Sequence, residues 1–385
     1  MQAGWRIGSL FGISLLLDYS WFIILILAAY FHGQYYQQEW GSFLAWGAGL
    51  VIAILLFCSV VLHELGHSLV TISQGIKINS IRLFLFGGVA LRERDYRSPG
   101  EAFQVAIAGP LVSLVLFFLL GVISLLFPTS SLIGELINRV AEINLILGVF
   151  NIIPGLPLDG GQILKAVVWK ITGSRFTGIR WAAKGGKGLG WFGVGLGLII
   201  VFTTRDYNVF LMALIGWFAL RNARIYQYMT DLKSTLIHIK AVEVMTRNFR
   251  VVDADLTLSQ FLRKYCLKSS KFSTYFAASM GRYVGFVSAD AIPYIEKSYR
   301  DTQTLRMIIC PLSHMVTVSE KVSLLEVLKK MECHQQKQIT VLSPAGTVAG
   351  IIDQGDIVRG MAKYLKLNIS EAEIKLVKTE GVRRG

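Results

Sequence analysis

The sequence predicts a polytopic α-helical membrane protein, with a short strand-forming stretch among its helices, joined to a soluble α/β unit. Three observations predict it. The 385-residue chain is 53% hydrophobic and only 17% charged, and its mean hydropathy is +0.51, above the balance of an ordinary soluble domain. The excess is confined to residues 1–229, which form a series of long apolar runs. After Thr230 the composition becomes that of a soluble protein, and the sequence repeats itself at an offset of 66 residues.

Six apolar runs are candidate membrane spans: Tyr19–Phe31, Phe43–Val70, Ala102–Phe127, Ile133–Ile153, Leu189–Val201 and Val209–Tyr226. The first is short unless "SLFGISLLLD", just before it, also enters the membrane interface. No A-x-A-like cleavage site follows it, so it reads as a retained segment and not a removed signal peptide. Loop charges order the runs. The loop after the first has no Lys or Arg, whereas Lys77, Arg82, Arg92, Arg94 and Arg97 follow the second. Arg139 alone follows the third; Lys165, Lys170, Arg175, Arg180, Lys184 and Lys187 follow the fourth. Arg205 alone follows the fifth, and Arg221 and Arg224 follow the sixth. This alternation fits an even number of spans, with both termini and the soluble unit on the cytoplasmic side of a bacterial-type plasma membrane. The formal charge of +14 is read as that topology. No aromatic-plus-basic stripe marks a nucleic-acid surface. The four cysteines are scattered without CxxC spacing, which argues against a disulfide framework and a cysteine zinc site.

Two stretches between the runs stand out. "INSIRLFLFGGVALRERDY" alternates in places and carries Gly87–Gly88, so it reads as a strand pair or a re-entrant hairpin. "GGKGLGWFGVGLGLII" places Gly186/Gly190 and Gly193/Gly197 at four-residue spacing. That spacing permits close helix packing; a mobile, gating helix is the other reading.

The chemistry lies in "VVLHELGHSLV". On a helix His63 and His67 face the same way and can hold one metal ion between them. Glu64 then lies close enough to take a proton from water activated there. HExxH alone is a short pattern. Its flanks, however, place it in or beside a membrane span, where an acidic residue costs about 2.5–3.5 kcal/mol and usually has a partner. A site of this kind wants a third protein ligand. Glu93, Glu101, Glu135 and Glu142 have no persuasive setting. Asp159 in "NIIPGLPLDGGQIL" is the better candidate, because Pro154 and Pro157 break the fourth run and irregular backbone at membrane depth must line protein or a cavity. A helix N-cap is the other role open to Asp159.

These motifs together resemble the site-2 protease family of intramembrane zinc metalloproteases. The resemblance rests on HELGH in an early span, on Phe86, Gly87 and Gly88, and on "NIIPGLPLDGG", and covers residues 1–229. It implies one Zn2+ per chain held by His63, His67 and Asp159, with Glu64 as general base. It also implies that Asn151 lies near the catalytic centre, holding substrate or the oxyanion. The substrate would be a membrane-anchored protein cut within or near its transmembrane segment, in the lipid bilayer. The edge near "FLFGGVAL", with Phe86, Gly87 and Gly88, is a candidate for binding the unwound substrate by strand addition. Two alternatives remain: an HtpX-like membrane metalloprotease, which takes a Glu as third ligand, and a non-catalytic metal-binding transporter or sensor.

The soluble repeat lays "VDADLTLSQFL" over "VSEKVSLLEVL". Residues 239–366 resemble two CBS modules in tandem, one over 240–300 and one over 301–366, after a linker at 230–239 and before a basic tail at 367–385. Such modules imply an adenosine nucleotide in their cleft, with Ser288 and Asp356 as the candidate contacts. Asp353 stands where a hydroxyl is expected and would repel phosphate, and Asp290 comes one residue early. A structural or dimerising role, giving a homo-oligomer through the pair, is therefore favoured over nucleotide binding, with regulation of the protease the other role.

Overall fold

The computed structural model describes residues 4–84, 87–128, 131–205, 209–247, 249–266, 274–287, 295–311 and 314–365. It divides into two units, Met1–Thr230 and Asp231–Gly385.

The first unit opens with a hairpin of β1 (Trp5–Leu10) and β2 (Ile13–Leu17). The stretch expected at the membrane interface is this hairpin. Its two-residue loop, Phe11 and Gly12, has φ of 50° and 79°, the paired positive values that a tight hairpin turn requires. Along β2, Ile13 and Leu15 are buried at period two. Then come α1 (Trp21–Ser73), β3 (Ile78–Phe84), β4 (Gly87–Arg92), α2 (Pro99–Ser124), α3 (Leu132–Ile152), α4 (Asp159–Thr172), α5 (Arg175–Thr204) and α6 (Phe210–His238). The sheet order is β1-β2-β3-β4. β2 and β3 are parallel, and β3 pairs antiparallel with β4. The stretch read as a strand pair or a re-entrant hairpin is thus a strand pair, with β4 at the sheet edge.

α1 folds back on itself at Gly41, whose φ of 69° and ψ of 165° are not helical. Trp21 meets Phe57 edge-on at 4.7 Å, and Tyr36 packs with Ala45 and Ile52. A Cβ on Gly49 would lie 2.4 Å from the Ala29 carbonyl, so the two arms touch backbone to backbone. The first two apolar runs are the arms of this helical hairpin. Among the described residues, three helices are long and apolar enough to cross a membrane: Trp40–Ser73, Pro99–Ser124 and Arg175–Thr204. Large apolar side chains stand exposed along them, including Phe43, Phe118 and Phe202, as lipid-facing helices require.

α5 begins at Arg175, well before the apolar run, capped by Ser174 accepting the Thr177 N–H at 3.3 Å. Its glycines pack closely. A Cβ on Gly186 would sit 2.0 Å from the Leu156 carbonyl, and Gly190 and Gly197 face Gly216 and Ala213 of α6. Tight packing is therefore the role these glycines play here. The stretch read as a linker, 230–239, is helical as far as His238.

The second unit repeats one pattern. α7 (Ala241–Val244), β5 (Phe249–Asp253), α8 (Leu258–Phe261), β6 (Thr274–Ser279) and β7 (Arg282–Val287) are followed by α9 (Lys297–Arg300) and β8 (Ile309–Pro311). Then come β9 (Thr317–Ser319), α10 (Leu324–Cys333), β10 (Gln338–Leu342), β11 (Val348–Asp353) and α11 (Gln354–Leu365). β5 is parallel to β6 and β6 antiparallel to β7; β9, β10 and β11 repeat this. The 66-residue offset carries buried Val252, Leu258 and Phe261 onto buried Val318, Leu324 and Val327, and the N-cap Thr257 onto the N-cap Ser323. The leading segments are exchanged. Ile239 packs in the core of the second copy, while Leu305 packs in the core of the first and β8 joins the first sheet. Each core is composite, so a boundary drawn at 300 cuts a sheet.

Candidate metal centre

The second arm of α1 has three faces at 100° per residue. Val61 and Leu65 pack on the sheet with Ile13, Ile81 and Leu83. His63 and His67 point the opposite way, and Glu64 falls between the two faces. The sequence motif thereby sets the histidines toward α2 and α4, and Glu64 toward β4.

His63 Nε2 and His67 Nε2 lie 3.0 and 3.2 Å from the same atom, Asp159 Oδ2. The three ligand atoms fall within 4.8 Å of one another. Ligand atoms of a tetrahedral zinc stand roughly 3.3 Å apart, so this spacing fits that ion. The tautomer fits too. His67 Nδ1–H donates to the Val105 carbonyl at 2.6 Å, so its neutral ring presents Nε2 as a lone pair. His63 Nδ1 is bonded to Ser113 Oγ at 2.9 Å. A lone pair of His67 turned toward a carboxylate oxygen needs a cation between them.

Asp159 is the first residue of α4, and Leu158 is the cap residue. The N-cap role is thus not the one it fills. The loop before it is fixed by backbone contact: the Leu156 N–H donates to the Ala182 carbonyl at 3.1 Å, and a Cβ on Gly160 would lie 2.1 Å from the Ile152 carbonyl. Glu64 Oε1 accepts the Gly88 N–H at 3.0 Å. A Cβ on Gly88 would meet Glu64 Cγ and Cδ at 2.5 Å, so glycine admits the carboxylate to the strand.

Other expected site residues fall elsewhere. Asn151 Nδ2 donates to the Leu147 carbonyl one turn back on α3, at 3.0 Å. That bond uses one of the two Nδ2 hydrogens and leaves the other, with Oδ1, for a further partner. Gly87 is in β4 beside Gly88. Phe86 and Ser288 lie outside the described residues. Asp356 is 2% exposed. It accepts the Asp353 N–H at 2.9 Å, pairs with Arg359, and gives its own N–H to Asp353 Oδ1 at 2.8 Å. Both acids therefore cap α11, and burial pushes the Asp356 carboxyl up. The carboxyl expected to meet a ribose thus serves the start of this helix.

Sequence reasoning found α2 as an apolar run but missed its part in the site. Val105, Gly109 and Ser113 recur at four residues and form the wall behind both histidines. A Cβ on Gly109 would lie 2.2 Å from His67 Nε2 and 2.6 Å from His63 Nε2. The available signal was Gly109–Pro110 inside an otherwise apolar helix, which is unfavourable unless a neighbour needs the space.

Two histidines with a glutamate between them, on a helix fit to cross a membrane, and an aspartate brought to them by α4 define a membrane metallohydrolase of the zinc class. Comparison with known proteins agrees. The profile of peptidase family M50 matches residues 51–142 and 128–184, and that of the CBS domain matches 308–363. The protein named "Putative zinc metalloprotease sll0528" from Synechocystis sp. is 36% identical over 359 residues, 92% of this chain and 94% of that protein. Zinc metalloprotease MJ0392 of Methanocaldococcus jannaschii is 33% identical over 312 residues, 81% of this chain and 85% of its own length. The solved site-2 protease from the same archaeon shares 30% identity at a TM-score of 0.42, covering 58% of this chain and 95% of that one. The chain belongs to peptidase family M50, the site-2 protease family of zinc metalloproteases, and carries a CBS domain.

Proposed function

We propose that this protein is an intramembrane zinc endopeptidase that cuts membrane-anchored proteins within or near their transmembrane segment. The convergence of Asp159, from α4, on His63 and His67, which stand with Glu64 on a helix long and apolar enough to span, carries the reading. His63, His67 and Asp159 would hold the ion, and the grouping of an Asp with the two histidines favours this family's ligand set over one that takes a Glu. Bound zinc supplies Lewis acidity toward a peptide carbonyl and toward water.

The chain's own residues do the rest. Glu64 takes the proton of the attacking water and hands it to the leaving amine. Gly88 N–H holds one carboxylate oxygen of Glu64 and leaves the other for the proton. β4, an outer strand, offers an unpaired edge along which an unwound substrate can add as a strand. Val105 and Ser113 fix the histidine rings. Asn151 would assist at the oxyanion with the Nδ2 hydrogen that Leu147 does not take.

Six spans with both termini cytoplasmic, and a CBS pair that assembles copies or regulates access, complete the proposal; the loop charges support that topology. The test is Glu64→Gln. It keeps the side chain's size and the Gly88 contact but removes the base. Cleavage of a single-span substrate should fall by about 10²–10⁴ while one zinc per chain stays bound. Cleavage at the wild-type rate would exclude Glu64 as base.

A further inference from the structure

Hydrolysis as derived leaves one buried charge unused. Lys165, six residues after Asp159 on α4, is 6% exposed. Its ammonium donates to a neutral amide, Gln162 Oε1, at 2.7 Å, and among the described residues no carboxylate stands within ion-pair distance of it. Burial lowers its pKa to about 7; Arg175 and Arg92 push the same way, and Asp95 alone opposes them. Asp95 is itself shared, meeting Arg175 at 3.0 Å and Arg92 at 3.6 Å. A buried ammonium beside two guanidiniums is costly unless an anion joins it.

Two elements lead from the metal centre to these cations. Along β4, Gly88 touches Glu64 and Arg92 is the last residue, a run of about 13 Å at strand rise. Along α4, Asp159 is the first residue and Lys165 the seventh, a run of about 9 Å at helix rise. The free edge of β4 is the surface along which the substrate is read to lie.

We propose that Lys165, with Arg92 and Arg175, forms a subsite for a carboxylate of the substrate. The group it takes is an Asp or Glu side chain, three or four residues from the scissile bond on the part of the chain running toward Arg92. That carboxylate supplies the anion that Lys165 lacks. Asp95 holds the two arginines in place and leaves Lys165 to the ligand. The subsite selects substrates and sets their register, because one anchored residue fixes which peptide bond lies at Glu64. This inference rests on the endopeptidase reading above.

The experiment uses the full-length zinc-loaded protein and extended peptides in which one Asp, or its isostere Asn, is scanned through successive positions. Binding is read by fluorescence anisotropy with the Glu64→Gln protein, and cleavage with the unaltered one. At one position Asp should bind more tightly than Asn by on the order of 10- to 100-fold, the value of a hydrogen bond to a charged partner. The Asp/Asn ratio should fall to about one in Lys165→Met. Arg92→Gln, at a more exposed site, should lower it severalfold. No Asp preference at any position, no peptide binding, or a preference that survives in Lys165→Met overturns the subsite. Lost retention of phosphatidylglycerol by Lys165→Met, without an Asp preference, would assign the cations to a lipid headgroup and also overturns it. Glu64-dependent cleavage without an Asp preference removes the subsite and keeps the endopeptidase. An Asp preference in binding with no Glu64-dependent cleavage does the reverse.

Discussion

Replacing Gly109 by Ala should empty the metal centre. The added Cβ would lie 2.2 Å from His67 Nε2 and 2.6 Å from His63 Nε2, where side-chain carbons essentially never approach closer than 3.0 Å. Neither ring is a free end that can swing away, because Val105 and Ser113 hold the two Nδ1 atoms. The helices are also in contact, since a Cβ on Gly66 would lie 3.1 Å from the Ala108 carbonyl. His67 must therefore retreat by roughly 1 Å, against a tolerance of about 0.2 Å in metal–ligand distances. Outer-shell substitutions that only loosen a ligand cost about 10–100-fold in affinity. Displacing both histidines should cost on the order of 100-fold or more by the same measure. The assay is zinc per chain by mass spectrometry after dialysis against a zinc buffer, with thermal unfolding to confirm the fold. Gly121→Ala is the control, since a Cβ there meets nothing within 4 Å on the same helix. A Gly109→Ala protein that keeps one zinc per chain at wild-type affinity would refute the convergence of the two Nε2 atoms on a metal.

Ser113→Ala removes the hydroxyl bonded to His63 Nδ1 and should weaken zinc binding by about 10–100-fold, measured by chelator competition. Asp159→Ala should bring zinc per chain close to zero, and unchanged affinity would remove Asp159 from the ligand set. In the second unit, the Arg306 guanidinium bonded to Asp255 holds that carboxyl below its ordinary value. A depressed folded-state pKa adds stability above the unfolded-chain value that is lost as pH falls through the folded one. Arg306→Met should move the Asp255 carboxyl back into the ordinary carboxylate range in a ¹³C NMR titration.

Much of the fold was legible because it is written in length and period. The apolar runs mark α1, α2, α3, α5 and α6 but not the short α4, and the 66-residue offset marks two copies whose buried positions coincide. Turns were harder to read. "SLFGISLLLD" has the apolar content of a membrane segment, and only Phe11–Gly12, a pair that must adopt positive φ, shows that it is a hairpin. The turn at Gly41 is likewise one glycine inside a polar stretch, which joins two apolar runs into one hairpin without a loop. The exchange of Ile239 and Leu305 between the two cores was not legible. Hydrophobic period states that a residue is buried, not which copy buries it.

The metal centre divides along the same line. His63, Glu64, His67 and Asp159 carry distinctive chemistry, and charge in an apolar run is conspicuous. What orients them is a carbonyl from Val105, an absent side chain at Gly109 and a hydroxyl at Ser113. A carbonyl is supplied by every residue type, so position 105 constrains backbone and leaves no mark in the sequence. Position 109 admits no side chain at all, and position 113 requires a small hydroxyl. The four-residue recurrence of these positions on one face of α2 places all three requirements against one metal. A face of that helix with a carbonyl, a glycine and a hydroxyl thus decides how the two histidine rings turn their Nε2 atoms toward Asp159.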